Sequence, residues 1–125
     1  MEREYKIRLD IQNISKCFSM ENGKNHEVVR ELSLTVRDNE FLILLGPGHC
    51  GKTVILNMIA GLMQPDYGNI YLDGKKVVGP NPDMGMVFQK IGTLPWKTVM
   101  ENVELGPKMR GIPKRERREK AQHYI

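Results

Sequence analysis

Eight consecutive residues of this 125-residue sequence are suited to holding a phosphate chain. They read Gly46-Pro47-Gly48-His49-Cys50-Gly51-Lys52-Thr53 and match the pattern of a P-loop. A glycine-rich turn that opens a helix aims several backbone N–H groups at one point, where the helix dipole also favours negative charge. The motif therefore predicts binding of a nucleoside triphosphate such as ATP, together with Mg²⁺.

Each part of the loop has an expected role in that binding. The backbone amides from Gly48 through Val54 would form the cradle, and Lys52 would reach the β- and γ-phosphates. The Thr53 hydroxyl would ligate Mg²⁺. His49 is interpreted as an exposed spacer, with a catalytic base as the alternative. Cys50 is also interpreted as a spacer, with a thiol activated by the helix N-terminus as the alternative.

The formal net charge of +4 is concentrated in one segment. Residues 108–120 contain seven Lys or Arg and two Glu, a net of +5, so the rest of the chain carries −1. Because Glu116 and Glu119 are interleaved at helical spacing, the run indicates a solvated helix face. The alternative is a patch for nucleic acid or anionic lipid. No recognition motif supports nucleic-acid binding, so no nucleic-acid partner is expected.

The sequence indicates a cytoplasmic protein. Its apolar stretches, such as Phe41–Leu45, are shorter than the ~20 residues of a membrane-spanning helix. The charged start, Met1–Tyr5, lacks the apolar core of a signal peptide, and the two cysteines agree with a reducing compartment. Any membrane association is therefore expected to be peripheral.

The segments before the loop predict the sheet that positions it. Ile7–Ile11 and Leu32–Val36 alternate apolar and polar residues, which predicts two half-buried strands, and the turn-forming stretch Met20–His26 predicts a hairpin connection. We expect these strands to form an antiparallel β layer. Phe41–Leu45 is apolar at every position, which predicts a parallel strand covered on both faces.

A helix is predicted over Thr53–Leu62, directly after the loop. Ile55, Ile59 and Leu62 would share its apolar face, and Gly61 limits its extent. The order of strand, loop and helix predicts an α/β fold of the P-loop NTPase class, preceded by the antiparallel layer. The P-loop alone does not distinguish kinases, GTPases and transport ATPases. A self-sufficient P-loop kinase or a nucleotide-binding regulator is therefore an alternative function.

Further elements are predicted downstream. Asp73-Gly74 indicates a hairpin, Gly85–Gln89 a short buried strand, and Thr98 with Glu101 a capping box at a helix start. A second helix is expected from near Pro113 to the last residue. No helix stop signal follows, so we expect a truncated domain.

Three segments give the sequence a resemblance to the ATP-binding-cassette (ABC) transporter family along essentially its whole length. Asn13-Ile14-Ser15-Lys16-Cys17-Phe18 is similar to the segment that presents an aromatic ring to adenine, which implies that Phe18 stacks on the base. The alternative for Phe18 is a core aromatic. The second segment, Gly46 through Ile70, is similar to the family's P-loop, its helix and the turn into the next strand.

The third segment resembles the family's Q-loop. It runs from Met86-Val87-Phe88-Gln89 through Leu94-Pro95-Trp96 to Thr98–Val103. The resemblance implies that Gln89 senses Mg²⁺ and the attacking water, and that Leu94, Pro95 and Trp96 face a transmembrane permease subunit. A surface glutamine and a core tryptophan are the alternatives. The Leu-Pro-Trp sequence is similar to the branch that imports nitrate, sulfonates or taurine.

The sequence departs from the family pattern at a few positions. Gly48-His49 stands where Ser-Gly is usual, Val54 replaces a second hydroxyl residue, and Asn39 replaces a glycine before Glu40. Val54 still donates its backbone N–H, although one side-chain contact to phosphate is lost. These changes predict weaker phosphate binding rather than none.

The resemblance implies an ATP-binding subunit at the cytoplasmic face of the membrane, paired with a permease and with a second ATP-binding subunit, as a homodimer. It divides the chain into a β layer (1–38), a P-loop core (39–92) and the start of a helical subdomain (93–125). No signature motif, strand ending in Asp-Glu, or switch histidine follows Gln89. We therefore expect this chain to bind ATP without hydrolysing it alone. A non-functional remnant is the remaining alternative.

Overall fold

The computed structural model describes residues 6–21, 23–90 and 92–125. The chain divides into two compact units, Met1–Met84 and Gly85–Ile125. The charged start, Met1–Tyr5, and Asn22 in the predicted hairpin connection lie outside the described residues.

The first unit contains a four-stranded sheet. Its strands are β1 (Ile7–Ser19), β2 (Asn25–Arg37), β3 (Tyr67–Leu72) and β4 (Lys75–Lys76), in the spatial order β2-β1-β3-β4. All neighbours pair antiparallel. The predicted antiparallel layer and the predicted hairpin at Asp73-Gly74 are thus confirmed.

The core of this unit lies where β1 meets its neighbours and the helix after the loop. Its buried side chains are Leu9, Ile11, Ile14, Val29, Met58, Ile70 and Val77. The predicted period-two pattern holds at Leu9 and Ile11, but Ile7 at the strand end is 49% exposed. Half-buried residues of β2, among them Leu32, Leu34 and Val36, pack against the same cluster.

Two serine hydroxyls hold an irregular stretch of the β1–β2 pairing. The register shifts around Ile14, and Asn13 and Glu31 have positive φ angles of 48° and 43°. The Asn13 N–H donates to Ser33 Oγ and the Glu31 N–H donates to Ser15 Oγ, each at 2.9 Å. The hydroxyls therefore satisfy two backbone donors that a bulge removes from the regular ladder.

Helix α1 (Lys52–Ile59) follows the phosphate loop and is shorter than predicted. The Gly61 N–H donates to the Met58 carbonyl and the Leu62 N–H to the Asn57 carbonyl, which is the bonding of a Schellman motif. Gly61 has φ of 73°, as that ending requires. The prediction that Leu62 belongs to the apolar helix face is wrong: Leu62 lies beyond the ending and is 52% exposed.

Two predicted buried strands do not form. Phe41–Leu45 has no regular secondary structure, and Phe41 and Leu45 are 88% and 89% exposed. Gly85–Gln89 is also irregular, with Val87 98% exposed. A parallel strand needs neighbours for its backbone hydrogen bonds and cover on both faces, and the described sheet supplies neither to these segments.

The second unit is helical among its described residues. It contains α2 (Val99–Val103), α3 (Leu105–Met109) and α4 (Lys114–His123). Thr98 caps α2: its Oγ1 accepts from the Glu101 N–H while the Glu101 carboxylate accepts from the Thr98 N–H, as predicted. The predicted helix after Pro113 is confirmed as α4.

One carboxylate joins β1 to the connection between α1 and β3. Asp66 Oδ2 accepts from the Cys17 N–H at 2.8 Å, and Oδ1 accepts from Lys16 Nζ at 2.7 Å. The Asp66 N–H in turn donates to the Ser15 carbonyl at 2.9 Å. The Cys17 amide, and next the Lys16 ammonium, hold the pKa of Asp66 below its usual value.

Replacing Asp66 by asparagine tests this connection. Asp66→Asn is expected to lower the free energy of unfolding by about 1–2 kcal/mol at neutral pH, since it removes a charge-assisted bond. Because the folded-state pKa is depressed, the contribution is complete above the unfolded-state pKa and disappears as pH falls through the folded value. Urea unfolding at about pH 7 and about pH 2 should show the two proteins converging in acid. Asp83→Asn is the control; equal losses in both variants would contradict the assignment.

Candidate functional site

Gly51 connects the phosphate loop to the sheet. It is buried, has φ of 94° and occupies the position just before α1. A Cβ atom added there would lie 2.9 Å from both the carbonyl oxygen and Cγ1 of Val28 on β2. Both the backbone angle and the lack of space require glycine, and the start of α1 is thereby held against the strand.

Lys52 folds back over the loop that precedes it. Its Nζ donates to the Gly46 carbonyl at 2.7 Å, to the Pro47 carbonyl at 2.6 Å and to Cys50 Sγ at 3.2 Å. A Cβ on Gly46 would lie 2.8 Å from Cys50 Sγ, so this glycine leaves room for the lysine and cysteine to meet. The ammonium group is therefore placed at the centre of the loop.

The remaining loop residues leave the N-terminus of α1 open. The first amides of a helix have no carbonyl partner within the helix, which makes them available to an anion. Thr53 is exposed, and a Cβ built on Gly48 would meet nothing within 4 Å. Val54 is half-buried and packs towards the core, so its backbone rather than its side chain faces the loop.

The side chains of His49 and Cys50, the two motif residues interpreted as spacers, are both exposed. His49 has a positive φ of 64°. Cys50 has a lowered thiol pKa, chiefly because of its hydrogen bond with Lys52, whose charge stabilises the thiolate. From the sequence, the helix N-terminus was the suggested cause of a reactive thiol. The structure adds a second cause, the Lys52 ammonium that contacts Cys50 Sγ.

Phe18, the predicted base-stacking residue, lies near the end of β1. It is 37% exposed and stands outside the buried core cluster. Lys16 Nζ lies over one face of the ring, 5.8 Å from its centroid, within the range of a cation–π interaction. The same ammonium is fixed by Asp66, so the ring has an ordered neighbour on one face.

The predicted Q-loop residues belong to the second unit. Gln89 and Pro95 are exposed, Leu94 is half-buried and Trp96 is 76% exposed. The structure thus brings Gly46, Cys50 and Lys52 into direct contact, whereas Gln89 and Trp96 lie in the other unit.

Asn102 is a residue to which the sequence analysis gave no role. Its Oδ1 accepts from the Leu94 N–H at 2.8 Å, and its Nδ2 donates to the carbonyls of Leu94, Lys97 and Thr98 at 2.9–3.2 Å. One amide therefore shapes the whole Leu-Pro-Trp turn. The sequence feature that could have indicated this role is the asparagine within a predicted helix, where asparagine has a poor propensity.

The described part of the chain offers neither a cluster of metal ligands nor a membrane-spanning helix. Residues 6–21, 23–90 and 92–125 hold no group of three or more His, Cys, Asp or Glu side chains arranged to bind a metal. Within the same ranges no helix is both long and apolar enough to span a membrane.

A glycine-rich loop with a central lysine at the start of a helix, supported on a sheet, is the arrangement of a P-loop nucleotide-binding protein. A family model described as ABC transporter matches residues 29–125. The chain belongs to the ABC transporter family, as the sequence motifs predicted.

Relatives and solved structures agree with this assignment. An uncharacterized ABC transporter ATP-binding protein of Methanocaldococcus jannaschii is 45% identical over 96% of this chain, and a taurine import ATP-binding protein of Ruegeria pomeroyi is 43% identical over 82%. A dimeric ATP-binding cassette in a post-hydrolysis state, bound to ADP and Pi, superposes with a TM-score of 0.82 at 28% identity, covering 92% of this chain and 54% of that one. The predicted ABC ATPase fold class is confirmed.

The chain spans less than half the length of the curated relatives it matches. It covers 45% of the Methanocaldococcus protein and 38% of the Ruegeria protein.

The contact between Cys50 and Lys52 predicts an unusually reactive thiol. In a Cys17→Ser background, the iodoacetamide reaction of Cys50 should have its pH midpoint below that of an ordinary cysteine. Lys52→Met should raise the midpoint, because the ammonium that stabilises the thiolate is removed. Lys75→Met, a change on β4, is the matched control. An unchanged midpoint in the Lys52 variant would show that the lysine does not set the thiol pKa.

Proposed function

We propose that this chain acts as the ATP-binding subunit of an ABC importer and couples ATP binding and hydrolysis, in the complete transporter, to the passage of a small solute. Several of its relatives are taurine import ATP-binding proteins, which supports a solute of the taurine, sulfonate or nitrate type. The Leu94-Pro95-Trp96 resemblance points to the same branch.

The position of Lys52 is the observation that carries this proposal. Its ammonium lies within 3.2 Å of three acceptors of the loop and stands at the N-terminus of α1. The Gly46 and Pro47 carbonyls hold it at short range, yet the loop from Gly46 to Cys50 is exposed. A phosphate chain can approach that charge and the first helix amides together.

The loop fits MgATP by the chemistry of its donors. The amides from Gly48 through Val54, including those of His49, Cys50 and Gly51, would bind phosphate oxygens, and Lys52 would bind the β- and γ-phosphates. Thr53 Oγ1 would ligate Mg²⁺, with Gln89 as a further contact to the metal. Bound Mg²⁺ would neutralise phosphate charge and orient the triphosphate.

Two further side chains would complete the nucleotide site. Phe18 would stack on adenine through the ring face that Lys16 leaves open. Gln89 would orient the attacking water, because a carboxamide can accept from water without adding charge near the metal. Its exposure is consistent with such a contact.

The Leu94-Pro95-Trp96 turn would contact the permease. Trp96 is exposed while Asn102 fixes the backbone beneath the turn, so the aromatic ring is presented on an ordered support. Aromatic residues of this kind are enriched in interface cores. The chain would work at the cytoplasmic face of the membrane, with a second ATP-binding subunit as its dimer partner; the solved neighbour with ADP and Pi is dimeric.

Residues 1–125 would bind MgATP without turning it over alone. Hydrolysis in this class needs a carboxylate to polarise water and a clamp from the partner subunit, and neither is identified in this sequence. The divisions 1–38, 39–92 and 93–125 remain our proposed layout of β layer, P-loop core and helical subdomain.

Calorimetric titration with MgATP tests the assignment. Lys52→Ala is expected to weaken binding by roughly tenfold to a hundredfold, the loss of one or two charge-assisted bonds. Lys75→Ala is the control for a lysine outside the loop. Equal affinity of the Lys52 variant and the unchanged protein would contradict the site. If the unchanged chain releases phosphate from ATP with no partner added, and Lys52→Ala abolishes that release, the proposed absence of turnover is contradicted. Transfer of phosphate to an added acceptor would indicate a kinase.

A second titration separates base stacking from phosphate binding. Phe18→Ala should weaken MgATP binding by about tenfold, since base–aromatic stacking contributes about 1–3 kcal/mol, while Phe18→Trp should retain it. Inorganic tripolyphosphate, which has no base, should bind both variants equally. Weaker tripolyphosphate binding by Phe18→Ala would mean that the residue supports the fold rather than the base.

A further inference from the structure

The second unit contains a cleft that the proposed nucleotide site does not use. Its volume is about 380 Å³, in the range of small-molecule sites, and it lies between α2, α3 and α4. Five cations and two carboxylates line it, and no lining residue is aromatic. The cations are Lys97, Lys108, Lys114, Arg117 and Arg118.

Both carboxylates already have partners within the unit. Glu101 Oε2 accepts from the Thr98 N–H at 2.9 Å and from Thr98 Oγ1 at 3.0 Å. Glu104 Oε2 accepts from Arg117 Nε at 3.1 Å, and both side chains are largely buried, with 10% and 16% exposed. Arg117 Nη1 also donates to the Ile112 carbonyl at 3.2 Å, which ties α4 to the preceding turn.

The other four cations make no ion pair and donate no side-chain hydrogen bond within the ranges that the structure describes. They are Lys97, Lys108, Lys114 and Arg118. The pKa of Glu101 is lowered chiefly by its hydrogen bonds with Thr98 and further by the charges of Lys97 and Lys108. The lining as a whole therefore carries a net charge of +3, five cations against two carboxylates. Like charges gathered around one cleft repel each other, and an anion between them relieves that repulsion.

The arrangement of these cations around one cleft distinguishes them from the charges of a solvated helix face. Lys114 and Arg118 come from α4, Lys108 comes from α3, and Lys97 precedes α2, so three parts of the unit supply cations to one concavity. The Glu104–Arg117 pair fixes the wall between them. Without an aromatic residue the cleft has no stacking platform for a nucleic-acid base.

We propose that this cleft binds a phosphate group, carried either by a soluble phosphate compound or by an anionic phospholipid headgroup. Its lysine and arginine side chains supply the charge-assisted donors that phosphate oxygens accept. The site is separate from the P-loop, which belongs to the other unit, and does not depend on the proposed function of that loop.

The test uses the full chain carrying Lys52→Ala, so that the P-loop does not dominate the signal. Inorganic pyrophosphate is titrated while backbone amide resonances are followed by NMR, and binding should shift the amides of Lys97, Lys108 and Arg118. Lys108→Gln with Arg118→Gln should weaken binding by about tenfold or more. Lys90→Gln with Arg115→Gln removes the same charge from exposed residues that do not line the cleft, and should change affinity less than about twofold.

Vesicle sedimentation identifies the source of the phosphate. If vesicles containing phosphatidylglycerol, but not pure phosphatidylcholine vesicles, bind the chain and Lys108→Gln with Arg118→Gln abolishes that binding, the headgroup is the ligand. Pyrophosphate binding without vesicle binding supports a soluble ligand. Equal weakening in the control pair would overturn the proposal in favour of diffuse attraction. Binding of polyglutamate, with no response to pyrophosphate or vesicles, would overturn it in favour of an acidic peptide.

Discussion

The close approach of Gly51 to β2 is the constraint on which the proposed nucleotide site depends. A P-loop works only if the helix behind it starts at a fixed place, and the missing Cβ lets that start lie against the Val28 backbone. Near the other end of α1, Met58 buries its side chain in the sheet core, with 1% exposed. Helix α1 is thus held at both ends of its length, although it has only 8 residues.

The same sheet would position the base and the phosphates from different directions. β1 carries Phe18, and β2 supports Gly51, so the pairing of these two strands connects the two halves of the proposed site. Irregular pairing near Ile14 is stabilised by Ser15 and Ser33, and Asp66 then fixes the backbone at Cys17. Hydrogen bonds from small polar residues therefore stabilise the backbone of the two strands that would position Phe18 and the loop.

Local rules predicted much of this fold from the sequence. Alternation in β1 and β2, the Asp73-Gly74 turn and the Thr98 capping box each depend on residues close together in the chain, and all were confirmed except at Ile7, which is 49% exposed. Phe41–Leu45 failed because a buried parallel strand depends on neighbours distant in sequence. The self-contacts of Lys52 and the bonds of Asn102 depend on the final path of the backbone, which composition and periodicity do not specify.

The carbonyl contacts of Lys52 have a consequence for selectivity. In this structure the ammonium already has two oxygen partners from its own loop, at 2.7 and 2.6 Å. An incoming anion must therefore exchange with bonds that exist, rather than meet a bare charge. Weakly charged solutes such as chloride or acetate would gain little from that exchange, whereas a polyphosphate would present several oxygens at once. Under the proposed function, the two carbonyl contacts of Lys52 would therefore favour a polyphosphate over small anions of single charge.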